Sequence, residues 1–344
     1  MFTQIRLLGS GFFGQVWLEH DTALDRLCAA KYLTGPGSTS SPVNPFNEAQ
    51  AMLRVQHENV VRVYSAEMEA SGPVIRMEYM PAGSVSDQYG TKAAPALTAV
   101  KLLEGACRGV EALHTAGLLH RDLKPANLMI GASGDVKVSD FGLACGERDA
   151  ALAPIGYVPH LPPEVLPNPG YIQDRVGDVW ALGMTAYRLL NGDSFLNGGR
   201  WPAQADLVDG IKKGSVPPRE GFSRYIHPRL SRVIKKALMV DPARRFGTAT
   251  EFRHALERSR PVVGWSELVS GEEWIGETGD GSRAWRAYMI VHKSSAQFVL
   301  EKRGPSGTFR RVSAGCSGRI SPAEASSFAS NVLQSIAERG SPPN

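Results

Sequence analysis

Residues 118–130 read Leu-Leu-His-Arg-Asp-Leu-Lys-Pro-Ala-Asn-Leu-Met-Ile. Apolar ends enclose one carboxylate, one ammonium and one amide, with Lys124 two residues and Asn127 five residues after Asp122. Such groups are costly to bury unless each finds a partner. Any fold for this chain must therefore deliver partners to this loop. A loop so equipped positions a hydroxyl, a phosphate and a metal ion together.

Several upstream stretches carry matching chemistry. The turn Gly9-Ser10-Gly11-Phe12-Phe13-Gly14-Gln15-Val16 lets backbone N–H groups approach phosphate oxygens with no Cβ in the way. Strand pattern continues beyond it through Trp17-Leu18-Glu19, with no helix opening there. Leu27-Cys28-Ala29-Ala30-Lys31-Tyr32-Leu33 is an apolar strand holding one lysine, which requires an anionic partner. A helix is expected over Phe46–Val55, capped by Asn44 and Pro45, with Glu48, Met52 and Val55 on one side. Glu48 is the natural partner for Lys31. Val60–Ala66 and Val74–Met80 read as further strands, closed by Pro81 and Gly83.

Downstream, Leu102, Leu103, Ala106, Val110 and Leu113 form a helical stripe leading into the loop. Val136-Lys137-Val138-Ser139-Asp140-Phe141-Gly142 is a short strand ending in an acid and a glycine. Val176–Leu190 is apolar on nearly every side, as a helix inside a domain would be.

Taken together, these stretches resemble the eukaryotic-type serine/threonine protein kinases. The loop matches His-Arg-Asp-Leu-Lys-Pro-x-Asn, and Asp140-Phe141-Gly142 matches Asp-Phe-Gly. Pro163-Glu164 stands at Ala-Pro-Glu, and Asp241-Pro242-Ala243-Arg244-Arg245 at Asp-Pro-x-x-Arg. The resemblance covers residues 2 to 258 and implies an α+β, bilobal fold: an antiparallel β-sheet N-lobe over 1–80 and a helical C-lobe over 81–260. It implies Asp122 as catalytic base and Lys124 as neutraliser of the transferred phosphate. Asn127 and Asp140 become the Mg²⁺ ligands, and Lys31, held by Glu48, contacts the α- and β-phosphates of ATP. The ATP pocket is then lined by Leu8, Gly9, Ser10, Gly11, Phe12, Phe13, Gly14, Val16, Ala29, Met77, Glu78, Met80 and Met129. Asp178 is expected to brace the loop, and Glu164 to pair with Arg245. The implied substrates are proteins bearing serine or threonine. A nucleotide-binding pseudokinase and a small-molecule kinase are the alternatives.

Residues 143–161 contain no serine or threonine, so Arg121 has no phosphoserine or phosphothreonine partner in that segment. Glu147 or Asp149 is expected to supply the charge instead, giving activity without loop phosphorylation. Tyr157 stands near a family threonine that touches the catalytic aspartate and lysine.

Residues 261–344 are expected to form a small accessory α+β module: strands at Trp274–Thr278, Ala284–Lys293, Ala296–Lys302 and Thr308–Ala314, then a helix capped by Ser321-Pro322-Ala323-Glu324. It reads either as a site for a further partner or as a packing extension. The net charge of +4 is scattered along 344 residues, which argues against a nucleic-acid surface. The four cysteines show no metal or disulfide spacing. Neither a leader pattern nor an apolar run of about 18 residues is visible, so a cytoplasmic chain without membrane contact is expected. Richness in alanine, glycine and arginine points to a bacterial source.

Overall fold

The structure is a computed structural model of the 344-residue chain. It describes residues 1–11, 14–33, 46–140, 145–146, 157–166, 174–196, 203–304 and 306–343. For Gly11, Asn47, Glu48, Ala51, Cys145 and Gly146 it describes the backbone alone. The chain forms two compact units. The first joins Met1–Gly90, Gly105–Thr185 and Val240–Glu251; the second joins Thr91–Glu104, Ala186–Met239 and Phe252–Asn344.

The first unit opens with β1 (Phe2–Gly11), β2 (Gly14–Asp21) and β3 (Arg26–Leu33), followed by α1 (Asn47–Leu53), β4 (Val63–Glu69) and β5 (Gly72–Glu78). The five strands form one antiparallel sheet in the order β1-β2-β3-β5-β4. Strand alternation sends Ala29 and Lys31 to one face, where their cross-strand partners are Leu18, Val16, Met77 and Ile75. The opposite face carries a buried ion pair, Arg76 Nε to Glu19 at 2.8 Å, with the Arg76 guanidinium 3.7 Å over the Phe2 ring. Glu69 accepts a second Arg76 bond at 2.6 Å. Two faces with different buried chemistry fix the register, because a one-residue slip would exchange them.

After α2 (Val85–Tyr89) and α3 (Ala96–Thr115) come the short strands β6 (Leu118–Leu119), β7 (Leu128–Ile130), β8 (Val136–Val138) and β9 (Cys145–Gly146). β7 pairs with β8 and β6 with β9, so the stretch between β6 and β7 is held at both ends. α2 begins at a capping box in which the Ser84 hydroxyl accepts from Asp87 N and Asp87 accepts from Ser84 N. α4 (Arg175–Asn191) contributes Val179, Trp180 and Leu182 to the core with no exposed surface.

The second unit contains α5 (Gln204–Lys212), α6 (Pro228–Ala237) and most of α7 (Ala249–Arg258). It ends with β10 (Val263–Val269), β11 (Glu273–Thr278), β12 (Ala284–Val291), β13 (Ala296–Arg303) and β14 (Phe309–Arg311), then α8 (Pro322–Arg339). These strands form a meander in sequence order, and α8 carries the expected capping box of Ser321 and Glu324. Trp265, Trp274 and Trp285 are fully enclosed, each contributing about 4–6 kcal/mol of gross transfer free energy. β10 was not expected from the sequence: Pro261 and Gly264 read as punctuation, yet Val263 and Trp265 point inward as a strand requires. Thr308–Ala314 yields only the three-residue β14 before a single turn at Ser313–Gly315. Cys28 and Cys107 are buried free thiols, whereas Cys316 is half-buried.

Candidate active site

His120, Arg121, Asp122 and Asn127 are all buried, as the apolar flanks require. Arg121 adopts φ +68°, a backbone state that costs a non-glycine residue about 1–3 kcal/mol. Asp178 on α4 offsets this. Its Oδ1 accepts from Arg121 N at 2.9 Å and its Oδ2 from His120 N at 2.9 Å and His114 Nε2 at 2.8 Å. Burial works against the Asp178 charge, but the His114 hydrogen bond and charge, with His120, hold the carboxyl below its ordinary range. His120 in turn receives Asp122 N on Nδ1 at 3.2 Å and pairs through Nε2 with Ser139 O at 3.1 Å.

The loop's carboxylate is surrounded by donors. Asp122 Oδ2 accepts from Lys124 Nζ at 2.6 Å and Asn127 Nδ2 at 3.0 Å, and Oδ1 accepts from Tyr157 N at 3.3 Å. Lys124 also lies 6.0 Å from the centre of the Tyr157 ring. Asn127 Nδ2 donates as well to Asp122 O at 2.8 Å, which leaves its Oδ1 as the acceptor for a cation. Ser139 N closes the group by donating to Asn127 O at 3.0 Å, so the residue before Asp140 is tied to the loop.

Lys31, buried on β3, places Nζ 2.8 Å from Asp140 Oδ1. Asp140 also has positive φ, +61°. Burial opposes its charge, but the Lys31 ammonium beside it lowers the carboxyl below the ordinary value. The Glu48 side chain lies outside the described residues, as do Phe12, Phe13, Phe141, Gly142, Glu147 and Asp149. Leu8 and Val16 are half-buried on β1 and β2, and Val16 stands opposite Lys31. A Cβ on Gly9 would meet no atom within 4 Å, so that backbone faces open space. Ala29 is buried opposite the half-buried Met77, Met80 is buried, and Met129 bridges to Ser84.

This donor set fits a nucleotide with Mg²⁺. An ammonium would serve the phosphates, and one carboxylate plus one amide oxygen would serve the metal. Among the described residues no group of three or more His, Cys, Asp or Glu side chains could cage a metal alone. Farther off, Arg245 grips Glu164 with two bonds of 2.7 and 2.6 Å.

A profile of the protein kinase domain matches residues 2–257. The chain belongs to the protein kinase family. It is 33% identical over 264 residues to serine/threonine-protein kinase PknB of Mycobacterium leprae, covering 73% of this chain and 42% of that protein. To serine/threonine-protein kinase PknJ of Mycobacterium tuberculosis it is 30% identical over 262 residues, 73% of this chain and 44% of the relative. Aurora/IPL1-related protein kinase 2 of Caenorhabditis briggsae is 31% identical over 244 residues, 70% of this chain and 78% of that protein. The chain thus spans under half the length of the two bacterial relatives.

Sequence reasoning did not find three contacts within this kinase site. His114 supplies the third bond to Asp178, six residues before the loop motif on a helix face that otherwise reads as apolar. The main chain of Tyr157, rather than its side chain, reaches Asp122. Lys137 binds both Glu78 oxygens at 2.8 and 2.9 Å, tying the Glu78 side chain to β8. A lysine between the buried Val136 and Val138 of a short strand was the available signal.

Proposed function

We propose that the chain is an ATP-dependent serine/threonine protein kinase. The observation that carries the reading is the Asp122 carboxylate, fixed by Lys124, Asn127 and Tyr157 N with a lysine–aspartate pair on the neighbouring elements. When bound, Mg-ATP supplies the γ-phosphoryl group, and the metal neutralises charge on it. Asp122 orients the acceptor hydroxyl and takes its proton at a carboxylate oxygen. Lys124, already on that carboxylate, is placed to balance charge at the transferred group. Lys31 binds the α- and β-phosphates, and the Gly9–Gly14 backbone covers them. Asn127 Oδ1 and Asp140 hold the metal. Met77 lines the base pocket, while the main chain at Glu78 and Met80 recognises adenine.

The activation segment is proposed to need no serine or threonine phosphorylation, with Glu147 or Asp149 serving Arg121. Replacing both acids should lower the rate; an unchanged rate would refute this. Residues 261–344 are proposed as a module built onto the helical lobe, and the molecule as cytoplasmic. Among the described residues no helix is long and apolar enough to cross a membrane.

The deciding experiment offers labelled ATP and a serine/threonine peptide library to the full chain and to Asp122→Asn. A fall of about 10²–10⁴-fold in transfer is expected. Nucleotide binding without transfer in the unaltered chain would favour a pseudokinase. Transfer to small-molecule hydroxyls alone would favour a small-molecule kinase.

A further inference from the structure

Within residues 157–166 every side chain is buried or half-buried except that of Tyr157, which is 42% exposed. The exposed ring does not stand apart from the site. Tyr157 N donates to Asp122 Oδ1 at 3.3 Å, and Lys124 Nζ lies over the ring, 6.0 Å from its centre. The same ring packs on the buried His160, with centroids 5.7 Å apart. A single turn, Val158–His160, fixes that contact, and His160 N donates to Tyr157 O at 2.8 Å. Backbone and ring of one residue therefore reach both members of the Asp122–Lys124 pair, which are themselves 2.6 Å apart.

Lysine carries its charge on a long, flexible stem, so an ammonium held by one bond is easily lost to solvent. Before reaction the Asp122 carboxylate supplies that bond. During transfer the acceptor oxygen bonds the γ-phosphorus, the bond to the bridging oxygen breaks, and ADP leaves with its electron pair. The hydroxyl proton passes to Asp122, which becomes neutral and loosens its hold on Lys124. The ammonium is needed at the transferred group at that moment. An aromatic face attracts a cation through its quadrupole, whatever the charge on the carboxylate. A leucine in the same place would pack but not attract.

We propose that Tyr157 is a positioning residue whose ring keeps the Lys124 ammonium at the transferred group while Asp122 takes the proton. The inference rests on the protein kinase reading above. Its test assays the full chain with ATP and a serine peptide taken from the library. Tyr157→Leu should lower kcat about three- to tenfold, with KM for ATP and peptide unchanged within about twofold, and Tyr157→Phe should restore kcat. Mono-, di- and trifluorophenylalanine placed at position 157 keep nearly the same size while the quadrupole weakens, so kcat should fall stepwise along that series. A flat series overturns the proposal, even if Tyr157→Leu fails to fold. So does an undiminished rate in Tyr157→Leu, or an equal loss in Tyr157→Phe, which would assign the role to the hydroxyl. A change confined to the peptide KM would make the ring a substrate wall and overturns it too.

A second readout needs no turnover. In the full chain carrying carbon-labelled lysine, the Lys124 ε-methylene resonance is assigned by its loss in Lys124→Arg. It should be displaced by the ring current, and return towards the ordinary lysine position in Tyr157→Leu but not in Tyr157→Phe. A resonance indifferent to Tyr157→Leu overturns the positioning role, whether or not the chain transfers phosphate. Absence of any transfer by the unaltered chain would instead overturn the kinase reading, so the two failures are distinct.

Discussion

Asp178 carries more of the site's geometry than any residue that would touch substrate. It holds three donors at 2.8–2.9 Å and secures the positive φ of Arg121. Asp178→Asn keeps the shape but sets an NH₂ group against N–H donors. Stability should fall by about 3 kcal/mol by urea unfolding at neutral pH. The pH dependence has a definite sign. The folded carboxyl is held below its ordinary 3.8, so its stabilisation is complete above that value and fades as pH falls through the folded pKa. The gap between the two proteins should therefore be full near about pH 6 and shrink below about pH 4. A gap that widened on acidification would contradict this origin of the brace.

At the scale of elements, α3 and the first sheet make opposite uses of close packing. Gly109 sits mid-helix, where alanine would ordinarily gain about 1 kcal/mol. A Cβ there would lie 2.3 Å from Asn59 O and 2.7 Å from Val138 Cγ2. Backbone cannot yield cheaply, so Gly109→Ala should destabilise by about 1–3 kcal/mol, measured as a lower denaturation midpoint. In the sheet, Arg76→Met strands the buried Glu19 carboxylate and should cost about 3–5 kcal/mol. The double variant with Glu19→Leu should recover much of that loss, which a thermodynamic cycle measures. The strands around these residues were legible because β-branched runs and glycine turns mark them locally. The loop motif was legible because its offsets are short. By contrast, β10 alternates over only two inward residues before a bulge between Glu267 and Val269, too short a pattern to stand out. Arg76 with Glu19, and His114 with Asp178, are 57 and 64 residues apart, and no local pattern announces such partners.

For the whole molecule, the main question is whether residues 261–344 are an appendage or part of one folded body. Within the second unit they meet earlier segments through specific contacts. Arg224 donates to Ser326 Oγ at 3.0 Å, lies 5.4 Å over the Trp274 ring, and accepts Gln334 Nε2 on its carbonyl at 3.0 Å. A Cβ on Gly264 would stand 2.8 Å from Leu97 Cβ, so β10 approaches α3 as closely as a glycine allows. Contacts of this kind are cooperative, since the aromatic core under α8 and the α3 surface lose their cover together. A chain ending at Arg260 should therefore melt at least about 5 °C below the full chain, or be recovered only as aggregate. An independent recruiting module would behave otherwise: its removal would leave the melting temperature of residues 1–260 unchanged. Scanning calorimetry of the two chains decides between them, with one transition in the full chain expected for the second unit and no separate transition from the C-terminal sheet.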